Sequence, residues 1–153
     1  MRVKIRPKKR KSVALKMILN EVVLAVPEKV KIDPESILNN YLKASSKFED
    51  KLISNQEFWQ KLNFWQDKIK VRPKRIQIRT MKNSWASCSS KGFLTFNSLL
   101  FSMPDYFADY IIIHELLHFK IPRHNKLFRS YLSAYLPDWQ DRLKQTVKFL
   151  LSK

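Results

Sequence analysis

The 153-residue chain has three histidines, one cysteine and one glycine, and its basic residues outnumber its acidic ones by more than two to one. Each shortage excludes something. The lone Cys88 rules out an internal disulfide and fits a reducing compartment. It also leaves no cysteine pair for a structural zinc knuckle, so a metal would have to be held through histidine. Gly92 is the only glycine, and neither a Gly/Ser linker nor a low-complexity tract divides the chain, so residues 1–153 read as one domain. No apolar run approaches the length of a membrane span. Residues 13–26 are fairly apolar behind a basic start, which imitates a signal peptide. Lys16, Asn20 and Glu21 interrupt that run, however, and no small-residue cleavage site follows Pro27. A soluble, cytoplasmic protein is expected.

Hydrophobic residues make up 44 % of the chain and aromatics 12 %, enough for a packed core without staples. Thirty Lys and Arg against thirteen Asp and Glu give a net charge of +17. Half of the basic residues fall in two acid-free segments. One holds Arg2, Lys4, Arg6, Lys8, Lys9, Arg10, Lys11 and Lys16; the other holds Lys68, Lys70, Arg72, Lys74, Arg75, Arg79 and Lys82. Such a balance favours polyanionic partners, meaning nucleic acid, nucleotide phosphates or an acidic substrate, although a merely solvated basic surface has the same composition.

Local patterns predict the elements. Val13–Ile18 and Val22–Val26, flanking Leu19-Asn20-Glu21, read as a hairpin. Asp33 with Pro34 opens a helix striped by Ile37, Leu38, Tyr41, Leu42 and Phe48. Ser54 and Glu57 form a capping-box pattern for a second helix, with Phe58, Leu62, Trp65 and Ile69 on its inner face. Arg75–Met81 alternates as a half-buried strand, residues 83–92 read as a Ser-rich turn, and Phe93–Phe96 returns as a strand. Ser102-Met103-Pro104-Asp105 opens a further helix that should end near Pro122. Leu127, Tyr131 and Tyr135 mark another, and Pro137-Asp138 starts the last, with Trp139, Leu143, Val147 and Leu150 facing inward. The expected class is α+β, a small antiparallel sheet packed with helices. Residues 1–72 would carry the N-terminal hairpin and two helices, and residues 73–153 the half described next.

All three histidines fall within eleven residues, in Ile111-Ile112-Ile113-His114-Glu115-Leu116-Leu117-His118 and at His124. On a helix, positions i and i+4 project from one face, which suits two ligands on one Zn²⁺. Placing His, Glu and His among Ile and Leu costs several kcal/mol unless the polar groups find partners, and a metal supplies them. An open catalytic site needs a third protein ligand. No Glu follows Glu115 anywhere in the chain, so a downstream glutamate is excluded. His124 is preferred over Asp138 or Asp141, because Pro122 breaks the helix and lets the chain fold back. Glu115, offset by about 100° from His114, would flank the metal and take a proton from a water on it. Asp109 falls on the opposite face and reads as a solvated or structural acid. Candidates for stabilising an oxyanion are Arg123, Tyr110 and Tyr131. Trp85, Ser87 and Cys88 would border the cleft, Cys88 as a small filler rather than a nucleophile.

Met81-Lys82-Asn83-Ser84-Trp85-Ala86-Ser87-Cys88, Asn97, the stretch from Asp109 to His118, His124 and Leu136-Pro137-Asp138-Trp139 together resemble the YgjP-like metallopeptidase domain. That family shows a Trp-Gly-Ser-Cys turn, a Leu-Asn pair, Tyr-Val-Ile-x-His-Glu-Leu-x-His and an Asn-His pair. The resemblance is specific over residues 75–143, and SprT-like proteases, which act on DNA-bound protein, look like more distant relatives. In this chain Ala86 replaces the Gly, Ser84 a common Arg, Arg123 the Asn before the third His, and Arg129 an aromatic. The resemblance implies a zincin-like fold whose edge strand, taken as Phe93–Asn97, receives an extended peptide. It also implies a second reading, since members have been described as UTP pyrophosphatases.

Three functions are therefore expected to compete. The first is a zinc-dependent metallopeptidase acting on a peptide or protein. The second is a nucleoside triphosphate pyrophosphatase at the same site. The third is a nucleic-acid-binding module with a structural or vestigial zinc site, which an intact Glu115 argues against.

Overall fold

The computed structural model describes residues 2–8, 14–18, 21–27 and 48–152, together with positions 33, 35, 36, 39, 42 and 43. The first sheet contains β1 (Arg2–Lys8), β2 (Ala14–Ile18) and β3 (Glu21–Pro27) in the order β1-β3-β2. The expected hairpin is the antiparallel β2–β3 pair, with Ile18 opposite Glu21. The basic segment before it supplies a strand that periodicity did not suggest: β1 runs parallel to β3, with Lys4, Arg6 and Lys8 exposed. Lys9, Arg10 and Lys11 lie outside the described residues. So does most of the helix expected after Asp33, although the expected cap is present, the Ser36 amide donating to the Asp33 carboxylate at 2.9 Å.

Ser54 and Glu57 form the predicted capping box. The Glu57 amide donates to Ser54 Oγ at 3.2 Å and the Ser54 amide to Glu57 Oε2 at 2.9 Å, opening α1 (Asn55–Ile69). Phe58, Leu62, Gln66 and Ile69 bury its inner stripe. Its C-terminus is closed by Lys70 in the left-handed region, at φ 59°. Glycine takes that conformation without the Cβ clash. Lys70→Gly should therefore stabilise the protein by a few tenths to about 1 kcal/mol, read as a higher denaturant midpoint at unchanged slope. A lower midpoint would mean that the lysine side chain contributes more than the strain costs.

The second sheet contains β4 (Arg75–Arg79), β5 (Ala86–Cys88) and β6 (Phe93–Asn97) in the order β4-β6-β5. It corrects the expectation of an antiparallel sheet. β5 and β6 are antiparallel, but β4 runs parallel to β6, so the sheet is mixed. It also corrects the edge: β6 is the central strand, and β5, hidden within the Ser-rich segment read as a turn, lies outside it. Ile76, Ile78, Leu94 and Phe96 alternate with polar residues and build one wall of the core. Gly92, at φ +88°, makes the turn into β6, where an added Cβ would meet Lys74 Cγ at 3.1 Å.

A 3-10 turn (Ser98–Ser102) leads into α2 (Asp105–His118). Ser102 does not cap this helix as expected. Pro104 is its N-cap residue, with no side-chain hydrogen bond, and its carbonyl accepts from the Phe107 amide. Most of α2 is buried on all sides, as befits a helix with apolar residues around its circumference. The helix α3 (Lys126–Tyr135), capped by Asn125 accepting from the Phe128 amide at 2.9 Å, and α4 (Trp139–Leu151) complete the chain. The architecture is α+β. Among the described residues, no helix is long and apolar enough to cross a membrane.

Asp109 fixes α2 among its neighbours. It accepts from Lys61 Nζ at 2.8 Å, Trp65 Nε1 at 3.0 Å and Arg142 Nη1 at 3.1 Å, joining α1, α2 and α4. Of the two expected roles, the structural one holds, because the residue is only 9 % exposed. Arg142 also donates to Asp138 Oδ1 at 2.8 Å, which engages one of the two aspartates weighed as third ligands.

Candidate metal centre

Helical spacing alone brings His114 and His118 to one face of α2, near its C-terminus. The chain then leaves the helix, passes Pro122 and returns, so that His124 reaches the same point just before Asn125 caps α3. The three Nε2 atoms form a triangle: His114 to His118 is 3.1 Å, His114 to His124 is 2.9 Å and His118 to His124 is 2.8 Å. Three ligands at tetrahedral positions around zinc would stand roughly 3.3 Å apart, so a small opening of the triangle accommodates the ion. The chemistry agrees. Three imidazole nitrogens facing one another cannot all be satisfied by mutual hydrogen bonds, since each neutral ring has one donor and one acceptor. A cation at their centre satisfies all three. His114, His118 and His124 are the potential metal-ligand cluster among the described residues.

The surroundings hold the imidazoles in place. His118 Nδ1 lies 3.2 Å from the Ile121 carbonyl. Donation there fixes the tautomer and leaves the Nε2 lone pair for a metal. Burial holds the His118 imidazole below its ordinary pKa, outweighing the opposing pull of the Ile121 and Pro122 carbonyls. Phe128, which sequence reasoning did not single out, packs against all three rings. Its centroid lies 5.0 Å from His114, 4.9 Å from His118 and 5.0 Å from His124. The available signal was its place four residues past His124, at the start of an amphipathic helix.

Glu115 lies beside the triad in a cleft of about 790 Å³. Burial pushes its carboxyl up to about 7, into the range suited to accepting and returning a proton near neutral pH. The opposite wall is the segment around β5, where Ser84, Ala86, Ser87, Cys88, Ser89 and Ser90 line the cleft; Phe119 and Pro122 lie on the histidine side. Cys88 fits the filler reading. Burial first, and then the charge of Glu115, push its thiol up to about 11, far from a nucleophilic thiolate.

Ser87 and Cys88 border the cleft as expected, whereas Trp85 turns into the core and packs edge-on against Phe107 at 5.2 Å. The wall itself is pinned by the fully buried Asn97, whose Nδ2 donates to the carbonyls of Met81 and Ser84, both at 2.9 Å. Of the three oxyanion candidates, Tyr110 packs against the triad, its ring 5.5 Å from that of His114. It stacks on Trp139, and burial followed by the charge of Glu115 raises its phenol well above the ordinary value. Arg123 and Tyr131 are exposed and do not line the cleft.

The family model described as YgjP-like, metallopeptidase domain, matches residues 1–148 of the chain. No curated protein matches it significantly.

Proposed function

The chain belongs to the YgjP-like metallopeptidase domain family, and from that premise we propose a zinc-dependent peptidase in which His114, His118 and His124 hold the metal and Glu115 is the general base. The observation that carries this reading is the convergence of three Nε2 atoms within 3.1 Å of one another beside a buried carboxyl poised near neutrality. A zinc ion held there would supply Lewis-acid polarisation and acidify a water molecule. Glu115 takes the proton from the attacking water and returns it to the departing amine.

The strand wall holds the substrate. Asn97 N–H donates to the Trp85 carbonyl and Ser89 N–H to the Phe93 carbonyl, so in this antiparallel pair the odd-numbered residues of the wall face β6. The backbone groups of Ala86 and Cys88 therefore point outward, toward the cleft, and suit an extended peptide laid along the edge. β5 takes the role that the sequence had given to Phe93–Asn97.

The cleft favours a peptide over a nucleoside triphosphate. Among the described residues, none that lines the cleft is Lys or Arg, so a triphosphate at the reacting position would find no side-chain cation in the walls to neutralise it. A purely structural zinc site, for its part, has no use for a buried base beside it.

The test is to incubate the zinc-loaded protein with an unstructured protein and, separately, with UTP. Peptide fragments without pyrophosphate are the expected result, and pyrophosphate without fragments would reverse the assignment. His118→Ala should lose most of its bound zinc by elemental analysis, because two histidines hold the ion far more weakly than three. Full metal retention in that variant would exclude His118 as a ligand.

A further inference from the structure

The cleft and its rim differ sharply in charge. Among the described residues, those lining the walls include no Lys or Arg, yet Lys82 lies two residues before the lining Ser84, Lys91 directly follows the lining Ser90, and Arg123 stands between the lining Pro122 and His124. Adjacent Cα atoms are about 3.8 Å apart, so all three side chains start at the border of the cleft. All three are exposed. Among the described residues, the ion pairs join Lys51 to Glu57, Lys61 and Arg142 to Asp109, Arg72 to Asp67, and Arg142 to Asp138. None of these carboxylates engages a rim cation. Lys82 and Lys91 stand at the two ends of the strand wall, while Arg123 stands on the histidine wall. Within this rim, Glu115 is the one acidic residue among the described residues that line the cleft.

Resting on the peptidase reading, we infer that the preferred substrate is an acidic polypeptide: uncharged residues at the scissile bond, with Asp or Glu on both sides. The uncharged wall and the apolar Phe119 and Pro122 suit a neutral segment, in which a buried cation or anion would find no partner. A peptide extended along β5 rises about 3.3 Å per residue, which brings the rim within reach of positions about three to five residues from the scissile bond. There Lys82, Lys91 and Arg123 meet acidic side chains, and the field of the +17 chain steers such a substrate inward.

Binding and turnover test this separately. Fluorescent peptides with one uncharged core and Glu, Gln or Lys flanks are titrated against zinc-loaded Glu115→Gln, and the same peptides are offered to the parent for cleavage. The Glu-flanked peptide should bind about tenfold or more tightly than the Lys-flanked one at low salt. The gap should close to about twofold in half-molar salt, where exposed charges are screened. Combined Lys82→Gln, Lys91→Gln and Arg123→Gln should abolish the preference, and the three corresponding Glu substitutions should invert it. Affinity independent of the flanks, or a preference that survives the triple change, overturns the proposal. An oligonucleotide of matched charge that binds more tightly than the Glu-flanked peptide, and is lost in the triple variant, would assign the rim to nucleic acid instead. If the binding order holds but no peptide is cleaved, the peptidase reading fails and the recognition surface stands.

Discussion

Glu115→Gln should lower peptide hydrolysis by about 10²- to 10⁴-fold while leaving zinc content and fold intact. The amide matches the carboxyl in shape but cannot take the water's proton. Hydrolysis within a few-fold of the parent would place the base elsewhere. The same substitution has a second readout that does not depend on turnover. The folded carboxyl is raised from its ordinary value of 4.5 to about 7, by burial. Between those values the folded protein holds a proton that the unfolded chain has released, so this group's contribution to stability falls as the pH rises from about 4.5 through 7. In full, a shift of that size is worth about 3 kcal/mol. Glutamine does not titrate. In thermal unfolding of the metal-free proteins, Glu115→Gln should therefore gain on the parent between pH 5 and pH 8. Parallel pH profiles would show that the carboxyl is not held out of solvent.

The largest stability effect is expected at Asp109. Asp109→Ala takes the shared acceptor from Lys61 and the Trp65 N–H and leaves Arg142 with only Asp138 and the Tyr106 carbonyl, the lysine side chain being 28 % exposed and the arginine 16 %. Removing one partner from such a cluster costs about 3–5 kcal/mol, a large share of the total stability of an ordinary domain. The melting temperature should fall by about 10 °C or more. Asp109→Asn, which keeps an acceptor for Trp65 but loses the charge, should lie between the parent and the alanine variant. Zinc bound per folded molecule should stay unchanged in both, since Asp109 lies on the face of α2 away from the triad. A melting temperature within a few degrees of the parent in Asp109→Ala would mean that the three donors find other acceptors.

The elements legible in the sequence are those whose signal fits within a few residues. The box of Ser54 and Glu57 closes over one helical turn, and the i, i+4 spacing brings His114 and His118 to one face whatever surrounds them. Pro122 ends the helix because a proline there lacks the N–H that a further turn needs, and that break lets His124 return. Strand pairing carries no such local mark. Arg75–Arg79 and Phe93–Asn97 look alike whether they run parallel or antiparallel, because alternation shows only which face is buried. Three residues of β5 are too few for a period to stand out in a serine-rich stretch, so the strand that borders the cleft read as a turn.

The sequence by itself determined the metal motif, the helices that carry it and the α+β class, since these follow from spacing, caps and composition along the chain. Tertiary structure alone decided the rest. It made β5 the edge strand, set Phe128 beneath all three imidazoles, turned Asp109 into the anchor of α2 and buried Glu115 enough to raise its carboxyl. Each of these depends on which distant segments meet. Burial and desolvation belong to the assembled surroundings of a residue and not to its neighbours in the chain.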